Sequence, residues 1–209
     1  KRPNLCLYPF DSLKKSLKWK HIVKKLGRKM HPHLKEVLFT REQIAERVKE
    51  LAEVVSRDYE GKNPLVVGIL KGSIMFTVDL LKELSIDAEV DFMDVTSYGY
   101  GISSSGEVRI LKDLSTVAHG RDILIVEDII DTGNTLLYLK KLLTGRQAKS
   151  VKIISLLDKP SGRKVDIDAD YVGFEVPDAF IVGYGIDYAE RYRQLPYIGI
   201  FNEEFLIKE

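Results

Sequence analysis

At 209 residues the chain has room for one α/β domain with a sizeable core and too little for two comfortable ones. Hydrophobic residues make up 44% and charged residues 30%, with no apolar run long enough to span a bilayer, which excludes a largely disordered chain and a helical membrane protein. The single cysteine, Cys6, excludes an intrachain disulfide and a tetrahedral thiolate metal site, and a cytoplasmic protein is the expectation.

Charge is unevenly spread. Residues 1–35 carry eleven Lys or Arg against one acid, Asp11, so the other 174 residues hold about −9 of an overall +1. In that front segment Leu13, Leu17, Trp19, Ile22, Val23, Leu26 and Met30 form a partial helical stripe among lysines. A basic amphipathic helix can meet a membrane surface, a nucleic acid or a partner; an organellar leader is also basic, but this segment is poor in serine and arginine. The plainer alternatives are a helix docked on its own domain or the tail of an adjoining sequence. The chain thus divides into a basic extension, residues 1–35, and one folded domain, residues 36–209, with no motif that carries chemistry in the extension.

Residues 40–59 open with a capping box, Thr40 with Gln43, and set Ile44, Val48, Leu51, Ala52 and Val55 at helical spacing, which predicts an amphipathic helix packed on a sheet. Residues 65–70, LVVGIL, read as a buried strand, followed by Lys71-Gly72-Ser73 and a helix to about Leu84. Residues 88–95 read as a strand with Val90, Phe92 and Met93 set against Asp91 and Asp94. Residues 96–107, TSYGYGISSSGE, cannot pack a core of their own and predict a mobile loop or a flexible hairpin before the strand-like VRILKDL. Residues 151–157 form another strand, ending in Asp158-Lys159-Pro160. Residues 171–176 and 180–184 read as two more, separated by Pro177-Asp178, and the charged run DYAERYR leads into a last short strand at 197–201. Strands that alternate with helices and then give way to a strand-rich end predict an open, twisted, mostly parallel sheet flanked by helices, with a small strand-containing lobe.

The chain is organised around residues 122–137, DILIVEDIIDTGNTLL. An apolar run, residues 123–126, has the length and β-branched content of a buried parallel strand, and it stops at two acids, Glu127 and Asp128. Asp131 follows in the connecting loop, and Thr132-Gly133-Asn134-Thr135 leads into a helix over residues 136–143. Ligands of open α/β sheets gather at that carboxyl edge, and a small, hydroxyl-rich loop opening a helix is an anion site. Three carboxylates beside a phosphate cradle would repel the phosphate, so the ligand must also bring a divalent cation or sugar hydroxyls. 5-Phosphoribosyl pyrophosphate offers both. The plain alternative is three surface acids, one of them capping the helix.

The string VEDIIDTGNTL resembles the phosphoribosyl pyrophosphate signature of the type I phosphoribosyltransferases, in the wording of their hypoxanthine-guanine branch, and the resemblance runs from about Val37 to the end. It implies the type I fold with a hood lobe, and a purine-salvage transferase that moves phosphoribose to hypoxanthine or guanine, giving IMP or GMP with Mg²⁺ as cofactor. It implies that Glu127 and Asp128 meet the ribose hydroxyls and the metal, that Asp131 removes the imidazole proton of the base, and that Thr132, Gly133, Asn134 and Thr135 hold the 5′-phosphate. Asn134 departs from many relatives, though backbone amides supply most of such a site. Lys71 and Gly72, after a peptide that can be cis, Arg193, and the loop residues Ser97 and Tyr98 match the pyrophosphate side. Lys159 matches the donor to the purine 6-oxo group, Phe180 the stacking ring, Ile181 the backbone at the base edge, and Asp187 an acid shared between base site and metal. Arg191 reads as surface charge. The resemblance also implies a homodimer or homotetramer with no nucleic-acid partner.

Two other readings share the motif. A nucleotide-sensing RNA-binding attenuator of the same fold would use the basic front end, but the purine-side residues Lys159, Phe180 and Asp187 with Arg193 argue for an enzyme. A pyrophosphokinase that makes the ribosyl donor would need a longer chain and a nucleoside triphosphate site.

Overall fold

A computed structural model describes residues 30–97 and 108–206. The front-end stripe before Met30, and the glycine-rich segment from Tyr98 onward, lie outside them. In chain order the elements are β1 (Leu34–Phe39), α1 (Arg41–Asp58), β2 (Leu65–Leu70), α2 (Ile74–Glu83), β3 (Glu89–Ser97), β4 (Val108–Lys112), β5 (Asp122–Ile130), α3 (Asn134–Gly145), β6 (Ser150–Asp158), β7 (Tyr171–Glu175), β8 (Ile181–Val182) and β9 (Ile198–Phe201). Single 3-10 turns stand at Pro160–Gly162 and Glu203–Phe205.

Six strands form the main sheet in the order β4-β3-β2-β5-β6-β7, parallel except for β4, which turns back on β3 as a hairpin arm. The central strands are apolar on both faces because both faces are covered. Val66, Leu124, Val126, Ile154 and Leu156 pack with α1 and α2, while their neighbours Val67, Ile69, Ile123, Ile125 and Ile153 pack with α3. Burying a side chain of this kind is worth roughly 1.5–3 kcal/mol, so two filled faces account for continuous runs such as LVVGIL. A second, antiparallel sheet, β1-β9-β8, forms the hood lobe.

The predicted capping box is in place: the Gln43 amide donates to Thr40 Oγ1 at 3.4 Å, and the Thr40 amide to Gln43 Oε1 at 2.9 Å. Three sequence expectations need correction. On β3 the phase is reversed: Asp91 and Met93 point inward while Val90 is 47% exposed. Asp91 is tolerated there because it accepts from the amides of Phe92, Ser115 and Thr116 and from Lys112 Nζ, a local tie that a period-two pattern does not register. Strand β5 does not stop at the acids but runs through them to Ile130, since Glu127, Ile129 and Ile130 still pair with β6. The strand expected at 180–184 shrinks to Ile181–Val182, because Gly183 and Tyr184 turn away with φ of +107° and +50°.

The register aligns the carboxyl ends of three strands. Gly68 pairs with Val126 across β2 and β5, and Ile130 with Asp158 across β5 and β6, so Lys71, the 127–131 acids and Lys159 reach one edge. Sequence order reverses between β2 and β5, the crevice where such sheets bind ligands.

Candidate active site

A cleft of about 310 Å³ opens at this edge. Lys71 and Gly72 line it from the end of β2, Glu127 and Asp128 from β5, Asp131, Thr132, Gly133 and Thr135 from the loop that starts α3, and Asp187 and Arg193 from the segment before β9. The structure thus gathers ten residues picked out from sequence and scattered over more than 120 positions.

Close approach explains the glycines. A Cβ on Gly72 would lie 1.9 Å from Asp128 Oδ2, and one on Gly185 would lie 1.9 Å from the Gly72 carbonyl oxygen, so acid, turn and far wall nest only without side chains. The Leu70–Lys71 peptide is cis. Gly133 takes φ +82° as the N-cap of α3 and gives no side-chain cap, while the Asn134 amide donates to Thr132 Oγ1 at 3.5 Å. Asp131 therefore does not cap α3. Its side chain is half exposed, and a Cβ on Gly162 would come within 1.6 Å of its Oδ1.

Electrostatics divide the cleft. Burial, and then the neighbouring charge of Asp128, pushes the Glu127 carboxyl well above its usual range, and burial raises Asp128 as well. Such a pair is relieved by an incoming cation or by hydroxyl donors. Among the described residues no three acids, histidines or cysteines converge on one point. Asp187 is held instead by Arg193, whose Nη2 lies 2.8 Å from Asp187 Oδ1 while Nη1 donates to the Gly185 carbonyl at 2.8 Å.

Lys71 Nζ lies 3.1 Å and Arg193 Nη2 3.5 Å from Glu190 Oε2, so one exposed acid spans the two cations proposed from sequence for pyrophosphate. Lys159 Nζ stands 4.0 Å from Asp131 Oδ2 and 2.9 Å from Asp178 Oδ1. Phe180 is 38% exposed, its ring edge-on to Tyr188 at 5.4 Å, while Ile181 is buried in the hood. Asn134 belongs to the first turn of α3. Ser97 ends β3, paired with Val108, and Tyr98 falls outside the described residues. Arg191 is exposed.

Sequence reasoning missed Glu190, Asp178, Gly162 and Arg163. Arg163 ion-pairs with Asp158 and donates to the Asp131 carbonyl oxygen at 2.7 Å, so it braces the acid loop. Glu190 had a signal, its position three residues from both Asp187 and Arg193. Asp178 and Gly162 had none beyond lying in turns.

The cleft, its doubly covered parallel sheet and its acid pair define a class, and comparison with known proteins agrees. Residues 36–189 match the phosphoribosyl transferase domain family, and the chain belongs to that family. More particularly, it is 58% identical over 171 residues to the hypoxanthine-guanine phosphoribosyltransferase of Bacillus subtilis, an alignment covering 82% of this chain and 95% of that one. A hypoxanthine phosphoribosyltransferase structure from Staphylococcus aureus superposes with a TM-score of 0.84 at 49% identity, over 88% of this chain and 100% of that one. The chain is also 57% identical over 175 residues, 84% of its length, to the bifunctional protein TilS/HprT of Listeria monocytogenes, of which it spans 27%.

Proposed function

We propose that this chain is a hypoxanthine-guanine phosphoribosyltransferase, which transfers 5-phosphoribose from phosphoribosyl pyrophosphate to a 6-oxopurine and releases pyrophosphate. The observation that carries this reading is the pair Lys159 and Asp131, 4.0 Å apart beside the acid pair. Adjacent at the imidazole edge of a 6-oxopurine are an acceptor, the 6-oxo group, and a nitrogen whose proton must leave; an ammonium and a carboxylate at that spacing answer both.

Bond breaking at the anomeric carbon builds positive charge on the ribose and negative charge on the leaving group. Asp131 takes the proton from the imidazole nitrogen beside the 6-oxo group as the other imidazole nitrogen attacks the anomeric carbon, a role worth about 10²–10⁴-fold. Lys159 donates to the 6-oxo group, Phe180 offers its exposed ring to the base, and backbone at Ile181 and Asp187 meets the base edge. Glu127 and Asp128 orient the ribose hydroxyls. The loop Thr132, Gly133, Asn134 and Thr135 receives the 5′-phosphate on helix amides. Lys71, Gly72 and Arg193 hold the pyrophosphate, with Ser97 and Tyr98 closing over it.

Glu127, Asp128 and Asp187 are the residues that would hold Mg²⁺ together with donor oxygens; when bound, the ion neutralises leaving-group charge. The raised carboxyls of Glu127 and Asp128 fit such a cation, and Asp187, paired here with Arg193, would be the third acid to hold it. We place the enzyme in the cytoplasm as a homodimer or homotetramer, and the basic stretch up to about residue 30 outside the catalytic domain, whose first strand begins at Leu34. A panel of free bases with phosphoribosyl pyrophosphate and Mg²⁺, read by base absorbance, tests the reading. Hypoxanthine and guanine should be consumed and adenine spared; no consumption of any oxopurine refutes it.

A further inference from the structure

Residues 31–33 fall in the stretch that the sequence assigns no chemistry, yet they are tied into the wall of the cleft. Tyr192, directly before Arg193, is buried, and its hydroxyl lies 2.7 Å from His33 Nδ1. The structure assigns His33 as a positioning residue: through the Tyr192 hydroxyl it fixes residues 187–193, and so places Arg193 and Asp187 for the leaving group, an inference that rests on the function proposed above.

The segment needs holding. Ala189, Glu190 and Tyr192 have φ of +50°, +62° and +75°, left-handed angles that side chains resist and that persist only when surroundings over-determine them. Part of the constraint is internal: the Glu190 amide donates to Asp187 Oδ2 at 2.9 Å, and Tyr188 and Arg191 bridge antiparallel. His33 adds a tie from a distant part of the chain and is itself fixed on three sides. Its ring stacks on Phe205 at 4.2 Å, its amide donates to His31 Nδ1 at 3.2 Å, and its carbonyl accepts from the Asn202 amide at 2.8 Å. His31 in turn donates its amide to Tyr197 Oη at 2.9 Å and sets its ring edge-on to Tyr192 at 5.2 Å.

The contact also reaches the base side. Tyr192 packs edge-on to Phe201 at 5.2 Å, and Phe201 packs at 5.9 Å against Phe180, the ring offered to the purine. A shift of Tyr192 would therefore move Arg193 directly and Phe180 only through an intervening ring. The donor should feel the loss more than the base.

The test uses the full chain with His33→Ala, His33→Asn, Tyr192→Phe and the double variant His33→Ala with Tyr192→Phe. Tyr192→Phe keeps the ring on Phe201 and removes the hydroxyl alone, so it decides the matter even where His33→Ala fails to fold. Loss of one hydrogen bond should raise KM for phosphoribosyl pyrophosphate, and Kd for pyrophosphate by calorimetry, about 2–13-fold, with kcat nearly unchanged. The double variant should be no worse than the worse single one, because both remove one interaction. Asparagine can present an amide near the Nδ1 position, so His33→Asn should recover most of the affinity, while Lys35→Ala, exposed two residues on in β1, should match the wild type. Lower Tm with unchanged KM and Kd, or effects that add in the double variant, would overturn the assignment and leave His33 as packing. A wild type that consumes no purine defeats the proposed reaction instead, and pyrophosphate binding still decides the role of His33.

Discussion

Removing the Lys159 ammonium should cost more than the loss of a surface charge, because its side chain is only 16% exposed and lies beside Asp131. The ammonium pairs with Asp178 at 2.9 Å. It has three protons, so it can keep that partner while donating to a purine 6-oxo group. Asp178 is 75% exposed and will be resolvated in a Lys159→Ala variant at little cost, which leaves the missing donor to the oxopurine as the main loss. A hydrogen bond to a charged group contributes roughly 1.5–3 kcal/mol, or about a 10–150-fold fall in kcat/KM for hypoxanthine and guanine. Adenine has a donor where those bases have an acceptor, so the wild type should reject it and the variant should narrow the gap chiefly by losing oxopurines. Lys159→Met, which keeps the stem, separates lost packing from lost charge. Steady-state kinetics with the three bases decide. A wild type that uses adenine as well as hypoxanthine, or a Lys159→Ala variant with undiminished preference, refutes the assignment.

Three further outcomes are expected. Asp131→Asn should lower kcat by about 10²–10⁴-fold with little change in donor KM, whereas Glu127→Ala with Asp128→Ala should raise donor KM strongly; equal effects would refute the division of roles. Glu190→Gln should tighten pyrophosphate binding about 2–5-fold at low salt, since Glu190 occupies both Lys71 and Arg193, and weaker binding by calorimetry would show that it orders the site instead. Burial alone would raise the Asp91 carboxyl, but the amides of Phe92, Thr116 and Ser115 and the Lys112 ammonium hold it down to about 2, from 3.8. A depressed carboxyl stabilises the fold above its unfolded pKa, so Asp91→Asn should cost about 2 kcal/mol near pH 6, shrinking below about 1 by pH 2.5; in urea unfolding an equal loss at both pH values would sink the idea.

The parallel core was legible because its signal is repeated. Residues 65–70 and 123–126 are apolar on both faces only if helices cover both, and the capping box at Thr40 and Gln43 marks the start of α1 with a hydrogen-bond pattern of its own. The cleft was legible because the 127–135 string joins a strand end, an acid pair and a helix start in fixed order. What failed to show was decided by distant partners. Asp91 turns inward because the amides of Ser115 and Thr116, over twenty residues away, wait for it. Gly162 is obligatory because Asp131 lies against it, a proximity created by β5 and β6 lying side by side. His33 is invisible for the same reason: it sits in a basic stretch, and its partner Tyr192 is 159 positions on.

The cleft pairs its charges among themselves, and this changes what donor binding would have to do. Arg193 is engaged by Asp187 and Glu190, and Lys71 by Glu190, so on the proposed function pyrophosphate would not enter a bare cationic site. It replaces one anion with another, and the electrostatic gain is smaller than a count of cations suggests. The acid pair presents the opposite case, since burial raises the Glu127 and Asp128 carboxyls and a cation beside them would offset that cost. A donor that brings anion and cation together settles both ends at once. On the proposed function, release of Asp187 from Arg193 would supply a third carboxylate near the leaving group, with its backbone beside the base. Donor occupancy and base recognition would then be joined through seven residues, 187–193, whose left-handed turns leave little freedom to serve one without the other.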